Sequence, residues 1–123
     1  MREISTTDAP VAAGPYSQAI RTGDLLFVSG QLPIDPATGA IPEDVLEQTR
    51  RSLANIAAIA RGAGTDLAKT VKTTVFVTDI ARFDEINGVY ASFFSAPFPA
   101  RSLYQVAALP KGAQVEIEAV IEI

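Results

Sequence analysis

The residues with the most chemical potential lie in Phe98-Pro99-Ala100-Arg101-Ser102-Leu103-Tyr104-Gln105-Val106, where a lone arginine leaves a proline-braked turn and enters an apolar strand. Pro99 fixes its own φ and drives Phe98 toward extended geometry, so few chain shapes lead into Arg101. A guanidinium delivered in this way is a rigid planar fork with a permanent charge, suited to gripping a carboxylate through two parallel hydrogen bonds. Taken alone, Arg101 reads as a solvated or ion-paired arginine, as most arginines are. Its company has to decide.

Composition removes many chemistries. The chain contains neither cysteine nor histidine, so disulfides, thiolate nucleophiles, imidazole bases, Ser-His-Asp and Cys-His constellations and the usual zinc sites are all excluded. No metal site is expected. Ten basic and 14 acidic residues give a net charge of −4. No basic cluster exceeds Arg50-Arg51, so the electrostatic footprint for nucleic acid is missing. Whatever chemistry occurs must use carboxylates, hydroxyls, amides, lysine or arginine. With 123 residues, 48% hydrophobic and 20% charged, the chain is expected to form one domain over 1–123 around one core. No apolar run reaches the length of a membrane span, and residues 1–5 lack a signal-peptide core. Together with the absence of cysteine, this predicts a cytoplasmic protein that does not enter membranes.

The elements that must position Arg101 follow from periodicity and punctuation. Residues 4–5 read as a short edge strand, and 6–15 as a loop that delivers Tyr16 from Gly14-Pro15. An aromatic there either plugs the core or lines a pocket with its hydroxyl free to donate. Residues 18–22 and 25–29 read as strands joined by Gly23-Asp24, a pair suited to a type II′ turn. The run Leu25-Leu26-Phe27-Val28 is apolar on both faces, which predicts burial on both sides. It ends at Ser29-Gly30, where the missing Cβ marks a bulge or strand end, or permits a ligand to approach the backbone. Residues 35–39, Asp-Pro-Ala-Thr-Gly, read as a turn.

A first helix is expected over 43–61, with Pro42 at its first position and Leu46, Leu53, Ile56, Ala57 and Ala60 as its core stripe. A strand over 71–78 places Val71, Thr73, Val75 and Val77 on one face, opposite Lys72, Thr74, Phe76 and Thr78. Asp79 is expected to cap a second helix over 80–94, with Phe83, Ile86, Tyr90 and Phe93 inward and Asn87 beside them. A strand over 102–109 then turns back at 109–113 into a last strand over 114–123. There Glu116, Glu118 and Glu122 share one face, the pattern of a solvated surface. Two helices cover only one face of a sheet of about six strands. The other, carrying Phe76, Thr74 and Val120, is too apolar to stay wet. A mixed α+β sandwich whose open face meets another copy is therefore expected.

The stretch 98–102, the run 104–112 and Val115-Glu116-Ile117-Glu118-Ala119 together resemble the signature of the RidA/YjgF/YER057c/UK114 family. Gly14-Pro15-Tyr16-Ser17-Gln18-Ala19, Ser29-Gly30-Gln31 and residues 71–77 agree with it in order and spacing, from about Ile4 onward. The resemblance implies a chorismate-mutase-like fold, with a roughly six-stranded mixed sheet under two helices. It also implies a homotrimer in which the sheets line a central barrel and the sites lie in clefts between subunits. The implied activity is hydrolysis of reactive 2-enamine and 2-imino acids to 2-keto acids and ammonia, without a cofactor. Carried onto this sequence, the family pattern gives Arg101 the substrate carboxylate and Glu116 the attacking water. Gly30 and Leu103 offer backbone groups, while Tyr16, Ser29 and Asn87 shape the pocket. Lys72 is a weaker candidate, better read as an ion-pair partner.

The chain departs from many bacterial relatives in carrying Leu103 where they have cysteine. The role of that position runs through its backbone, so deamination is expected to survive and thiol-based regulation is not. Two further readings use the same residues: a non-catalytic module that binds a small 2-keto acid, and the ribonuclease or translation-inhibitor label attached to some relatives. The absence of histidine and the acidic balance weigh against the latter.

Overall fold

Strict alternation in Val-Glu-Ile-Glu-Ala-Val-Ile-Glu gives the last strand one buried and one open face, and the rest of the sheet assembles around it. The computed structural model describes residues 1–123. Its strands are β1 (Arg2–Ile4), β2 (Ala19–Thr22), β3 (Leu25–Gln31), β4 (Thr70–Val77), β5 (Ala100–Gln105) and β6 (Val115–Glu122), and its α-helices are α1 (Val45–Gly62) and α2 (Phe83–Ala91). They form one six-stranded sheet in the order β1-β2-β3-β6-β4-β5. Strand β6 lies between β3 and β4, antiparallel to both, and β5 runs parallel to β4 at the edge. The mixed α+β sheet with two helices is thus the expected one. On its covered face Leu26, Val75, Ile117 and Ile121 pack beneath Leu53, Ile56 and Ile59 of α1 and Ile86 of α2, all at most 1% exposed. No helix is long and apolar enough to cross a membrane.

Several sequence expectations need correction. The last two strands are not a hairpin: β5 stops at Gln105 and pairs with β4. The chain reaches it through the α2 crossover, the connection that parallel neighbours require. Helix α1 begins at Val45. Asp44 is its N-cap, accepting from the Glu47 N–H at 3.1 Å, while Pro42 stays outside and its carbonyl accepts from Gln48 Nε2. Asp79 caps only a short turn, Ile80–Arg82, through the Ala81 N–H. Helix α2 ends at Ala91, where Ser92 Oγ donates back to the Val89 carbonyl.

Val71 leaves the core because the β4–β6 register slips between Thr70 and Lys72, turning its side chain outward. Phe83, expected inside, is also exposed. Within one chain, Leu26 and Val28 are buried but Leu25 and Phe27 are 36% and 45% exposed. The expected two-sided burial of β3 is therefore only half met. Phe76 and Tyr104 stack at 6.5 Å on the same open face. Two of the turns behaved as read: Thr22 pairs with Leu25 across Gly23-Asp24, with Gly23 at φ 57°, and Asp35 closes its turn onto Gly39 N–H at 2.7 Å.

Candidate functional site

Five of the seven site residues expected from the sequence lie on the two strand pairs β3–β6 and β4–β5, Asn87 lies on α2, and Tyr16 lies on a loop that reaches the first pair. The first group surrounds a cavity of about 1000 Å³, lined among others by Tyr16, Ser29, Gly30, Phe76 and Glu116. Val28 pairs with Ala119 and Gln31 with Ile117, so Ser29 and Gly30 together face Glu118 in a β-bulge. A bulge leaves its extra residue out of the ladder and re-aims the chain. The strand therefore continues through Ser29-Gly30 to Gln31. Ser29 anchors the bulge: its N–H donates to the Gln18 carbonyl at 2.9 Å and its Oγ to the Ser17 carbonyl at 2.6 Å.

The room left by the missing Cβ of Gly30 is taken by Glu116. A Cβ built there would lie 2.9 Å from Glu116 Cδ and 3.1 Å from Oε2. Half-buried against this backbone, the Glu116 carboxyl has its pKa raised, first by burial and then by repulsion from Glu118. Glu118 is exposed as expected for a solvated face, yet it lines the same cavity. Gly30→Ala should fold, since its change is one methyl group, but should push the carboxylate out of place. We expect any turnover that uses this carboxylate to fall at least about tenfold, because a misplacement of about 1 Å can cost far more.

Tyr16 stands half-exposed at the rim. Its hydroxyl accepts from the Ala13 N–H at 3.2 Å, which leaves its own proton to donate. Three buried amides, none of them singled out in the sequence, hold the cavity walls. Gln18 accepts from Thr6 N–H at 2.7 Å and donates to the Pro10 carbonyl at 2.7 Å, tying down the loop before Tyr16. Asn55 donates to the Leu32 and Ile34 carbonyls at 3.2 and 2.9 Å, fixing the opposite wall. Gln48 accepts from Gln114 N–H at 2.8 Å, just ahead of Glu116. A signal was present: Gln48, Thr49, Ser52 and Asn55 recur on one face of an alanine-rich helix, and all are buried.

The second group lies at the other edge. Arg101 pairs in register with the buried Thr73, and its guanidinium carbon stands 4.8 Å from the Tyr90 ring centre and 5.7 Å from that of Phe83. Such stacking on ring faces holds the plane of the fork while leaving its edge open. Tyr90 is itself fixed by a 2.7 Å hydrogen bond to Thr73 Oγ1, and burial raises its hydroxyl pKa so that it stays neutral. Neither ion pair of the chain, Arg50–Glu47 or Arg82–Glu85, involves Arg101. Asn87 sits on α2 one turn from both Phe83 and Tyr90, and its buried Oδ1 has no partner. Leu103, two residues along β5, leans on the core. Lys72 joins neither group, lying beside Val120 and Ala100.

One chain does not bring these groups together. Strand β4 lies between Glu116 on β6 and Arg101 on β5, a spacing of about 10 Å at two strand steps. Arg101 also faces the helix side with Thr73, whereas Glu116 lies opposite Phe76 on the other side.

Residues 6–123 match the family described as endoribonuclease L-PSP, which is the RidA/YjgF family. The chain belongs to that family. It is 66% identical over 121 residues to the RutC family protein y4sK of Sinorhizobium fredii, covering 98% of this chain and 96% of that one. It is 50% identical over 120 residues to the 2-iminobutanoate/2-iminopropanoate deaminase of Capra hircus, covering 97% and 88%. Among solved structures, E. coli TdcF with bound serine superposes with a TM-score of 0.95 at 44% identity, covering 100% of this chain and 99% of that one. The six-stranded mixed sheet under two helices is therefore the fold of this family.

Proposed function

We propose that this chain is a cofactor-free deaminase that hydrolyses 2-imino acids, in particular 2-iminobutanoate and 2-iminopropanoate, at sites completed between copies of itself. The observation that carries the reading is the placement of Arg101: a stacked, unpaired fork on the opposite side of the sheet from a half-buried Glu116. A second copy presenting its β4–β5 edge to the cavity would join the two. The apolar open face supplies a reason for copies to meet. Together with the family resemblance, it supports a homotrimer with its sheets turned inward around a barrel. Light scattering at micromolar concentration should then return about three times the 13.0 kDa chain mass, the closed ring expected of a cyclic assembly. A clean monomer would remove the site with the assembly.

The imine carbon is already electrophilic, so orientation and one placed water supply most of what hydrolysis needs. Arg101 holds the carboxylate. Glu116 orients the water and takes one of its protons as the C–O bond forms, while the C=N π pair moves to nitrogen, which is protonated. Collapse of the resulting carbinolamine breaks the C–N bond and releases ammonia, leaving the 2-keto acid. Gly30 and Leu103 meet the remaining polar atoms through their backbones, with Tyr16, Ser29 and Asn87 completing the walls. Burial suits Glu116 to this work, because a raised pKa makes it a stronger base than a solvated glutamate. A relative named for this reaction and another that carries serine support a site of amino-acid size.

The bound serine of that relative equally suits a module that binds small carboxylates without turnover, which a turnover assay separates. A ribonuclease reading has no histidine and no basic stripe to work with. We place the activity in the cytoplasm, in keeping with a chain that uses no cysteine. The deciding experiment is a coupled assay in which an amino-acid oxidase or threonine dehydratase generates the imine. Release of keto acid should accelerate in proportion to added protein. A rate equal to the spontaneous one overturns the enzyme reading.

A further inference from the structure

Lys111 is the one non-glycine residue of the chain with a left-handed backbone, at φ 60° and ψ 22°. It is followed by Gly112 at φ 69°, and the Ala113 N–H closes the turn onto the Pro110 carbonyl at 3.2 Å. Two successive positive φ values across such a turn are the type I′ arrangement, for which Asn-Gly, Asp-Gly and Gly-Gly are the favoured pairs. A lysine at the first of these positions works against local stability, and strain of this kind persists where the side chain has another task.

Its position indicates the task. Lys111 lines the same cavity as Glu116. The ionisable groups on that lining, apart from the Tyr16 hydroxyl, are Asp35, Glu116, Glu118 and Lys111. Three carboxylates and one ammonium leave this chain's share of the lining net negative, which works against entry of an anion. Lys111 makes neither of the chain's ion pairs, and it is not among the causes of the Glu116 shift, which are burial and Glu118. Its charge is not spent on the catalytic carboxylate. A flexible ammonium fixed at its base by a rigid turn can meet an incoming carboxylate without holding it in one orientation, the complement of a planar guanidinium.

We infer that Lys111 is a specificity-determining residue of the site. Its ammonium offsets the acidic lining and draws 2-imino and 2-keto acids in as anions, so that the site selects charged acids over their neutral amides or esters. The inference rests on the deaminase reading for its substrate and adds a residue to it. A single exposed charge acts over the Debye length, about 30 Å at 0.01 M salt and about 8 Å at 0.15 M, so its effect must depend on salt.

The test compares Lys111→Asn, which suits the turn and drops the charge, with Lys111→Arg, which keeps both charge and strain. Dissociation constants for 2-oxobutanoate are measured at about 0.01 M and 0.5 M salt, alongside turnover and melting temperature. Lys111→Asn should melt about 2–5 °C higher. It should bind 2-oxobutanoate about threefold to tenfold more weakly at low salt, with the difference gone at high salt. Its KM should rise by the same factor while kcat is unchanged, and Lys111→Arg should match the parent. Equal binding by Lys111→Asn and parent at low salt overturns the proposal. So does a loss that salt does not remove, which would mark a packing effect. If the parent binds 2-oxobutanoate but turns over no imine, the deaminase reading fails and the binding comparison still decides Lys111. If the parent binds nothing, both fail.

Discussion

Replacing Arg101 with lysine should abolish most deamination, nearly as completely as replacing it with alanine. The work assigned to this residue is bidentate, and lysine keeps the charge but cannot present two parallel donors in one plane. It also loses the flat stacking against Tyr90 and Phe83, whose ring centres lie 4.8 and 5.7 Å from the guanidinium carbon and set the angle of the fork. A hydrogen bond to a charged partner contributes roughly 1.5–3 kcal/mol. Loss of one or two should therefore weaken carboxylate recognition by at least about tenfold. Arg101 has no ion-pair partner in its own chain, so both variants should fold and assemble as the parent does. Circular dichroism and size-exclusion chromatography must accompany the assay. Near-normal activity in Arg101→Lys would refute the clamp. Variants that fall apart into monomers would make the residue an interface group.

Glu116→Gln should lower turnover by about a hundredfold, the scale of one general base, while leaving 2-keto acid binding nearly intact. The amide keeps the shape that rests against Gly30 and loses the basicity. Because burial and Glu118 raise the Glu116 pKa, the acid limb of the parent's pH–rate profile should lie above the ordinary glutamate value of about 4.3. Glu118→Gln, which removes the second of those causes, should move that limb toward lower pH. Glu122→Gln, far along β6, should do nothing.

The stability effect has the opposite dependence on pH. A carboxyl whose folded pKa is raised favours the folded chain in its protonated form. Its contribution is complete below the unfolded value and is lost as pH rises through the folded one. Glu116→Gln should therefore be more heat-stable than the parent above that range and equal to it in acid. If Glu116, Glu118 and Glu122 variants all behave alike, Glu116 has no special role.

Much of the scaffold was legible. The period-two pattern of β6, the Gly23-Asp24 turn and the crossing of helix and strand patterns all gave the right elements. What periodicity misses is register: a single extra residue at Val71 turns that side chain outward, and the bulge at Ser29-Gly30 re-aims β3 where the site forms. Strand order was equally hidden. Reading 102–123 as a hairpin paired the last two strands with each other, whereas β6 inserts between β3 and β4 and leaves β5 at the edge beside β4. The division of the site into two groups is a property of that topology. The resemblance named the candidate residues, and the fold sets Arg101 and Glu116 on opposite sides of one chain's sheet. Buried amides such as Gln18 and Asn55 escaped notice because their partners are backbone carbonyls of loops, which carry no pattern.

The central claim is that Arg101 and Glu116 act on one substrate from different copies of the chain. Co-expressing Arg101→Ala and Glu116→Gln chains under separate tags, isolating the mixed assemblies and timing imine hydrolysis tests it most directly. In a three-membered ring that contains both chains, about one interface in three pairs an intact Arg101 with an intact Glu116. The isolated mixed assemblies should thus recover about a third of parental activity, although each variant alone is nearly inactive. Mixed assemblies no more active than the single variants would contradict a site shared between subunits.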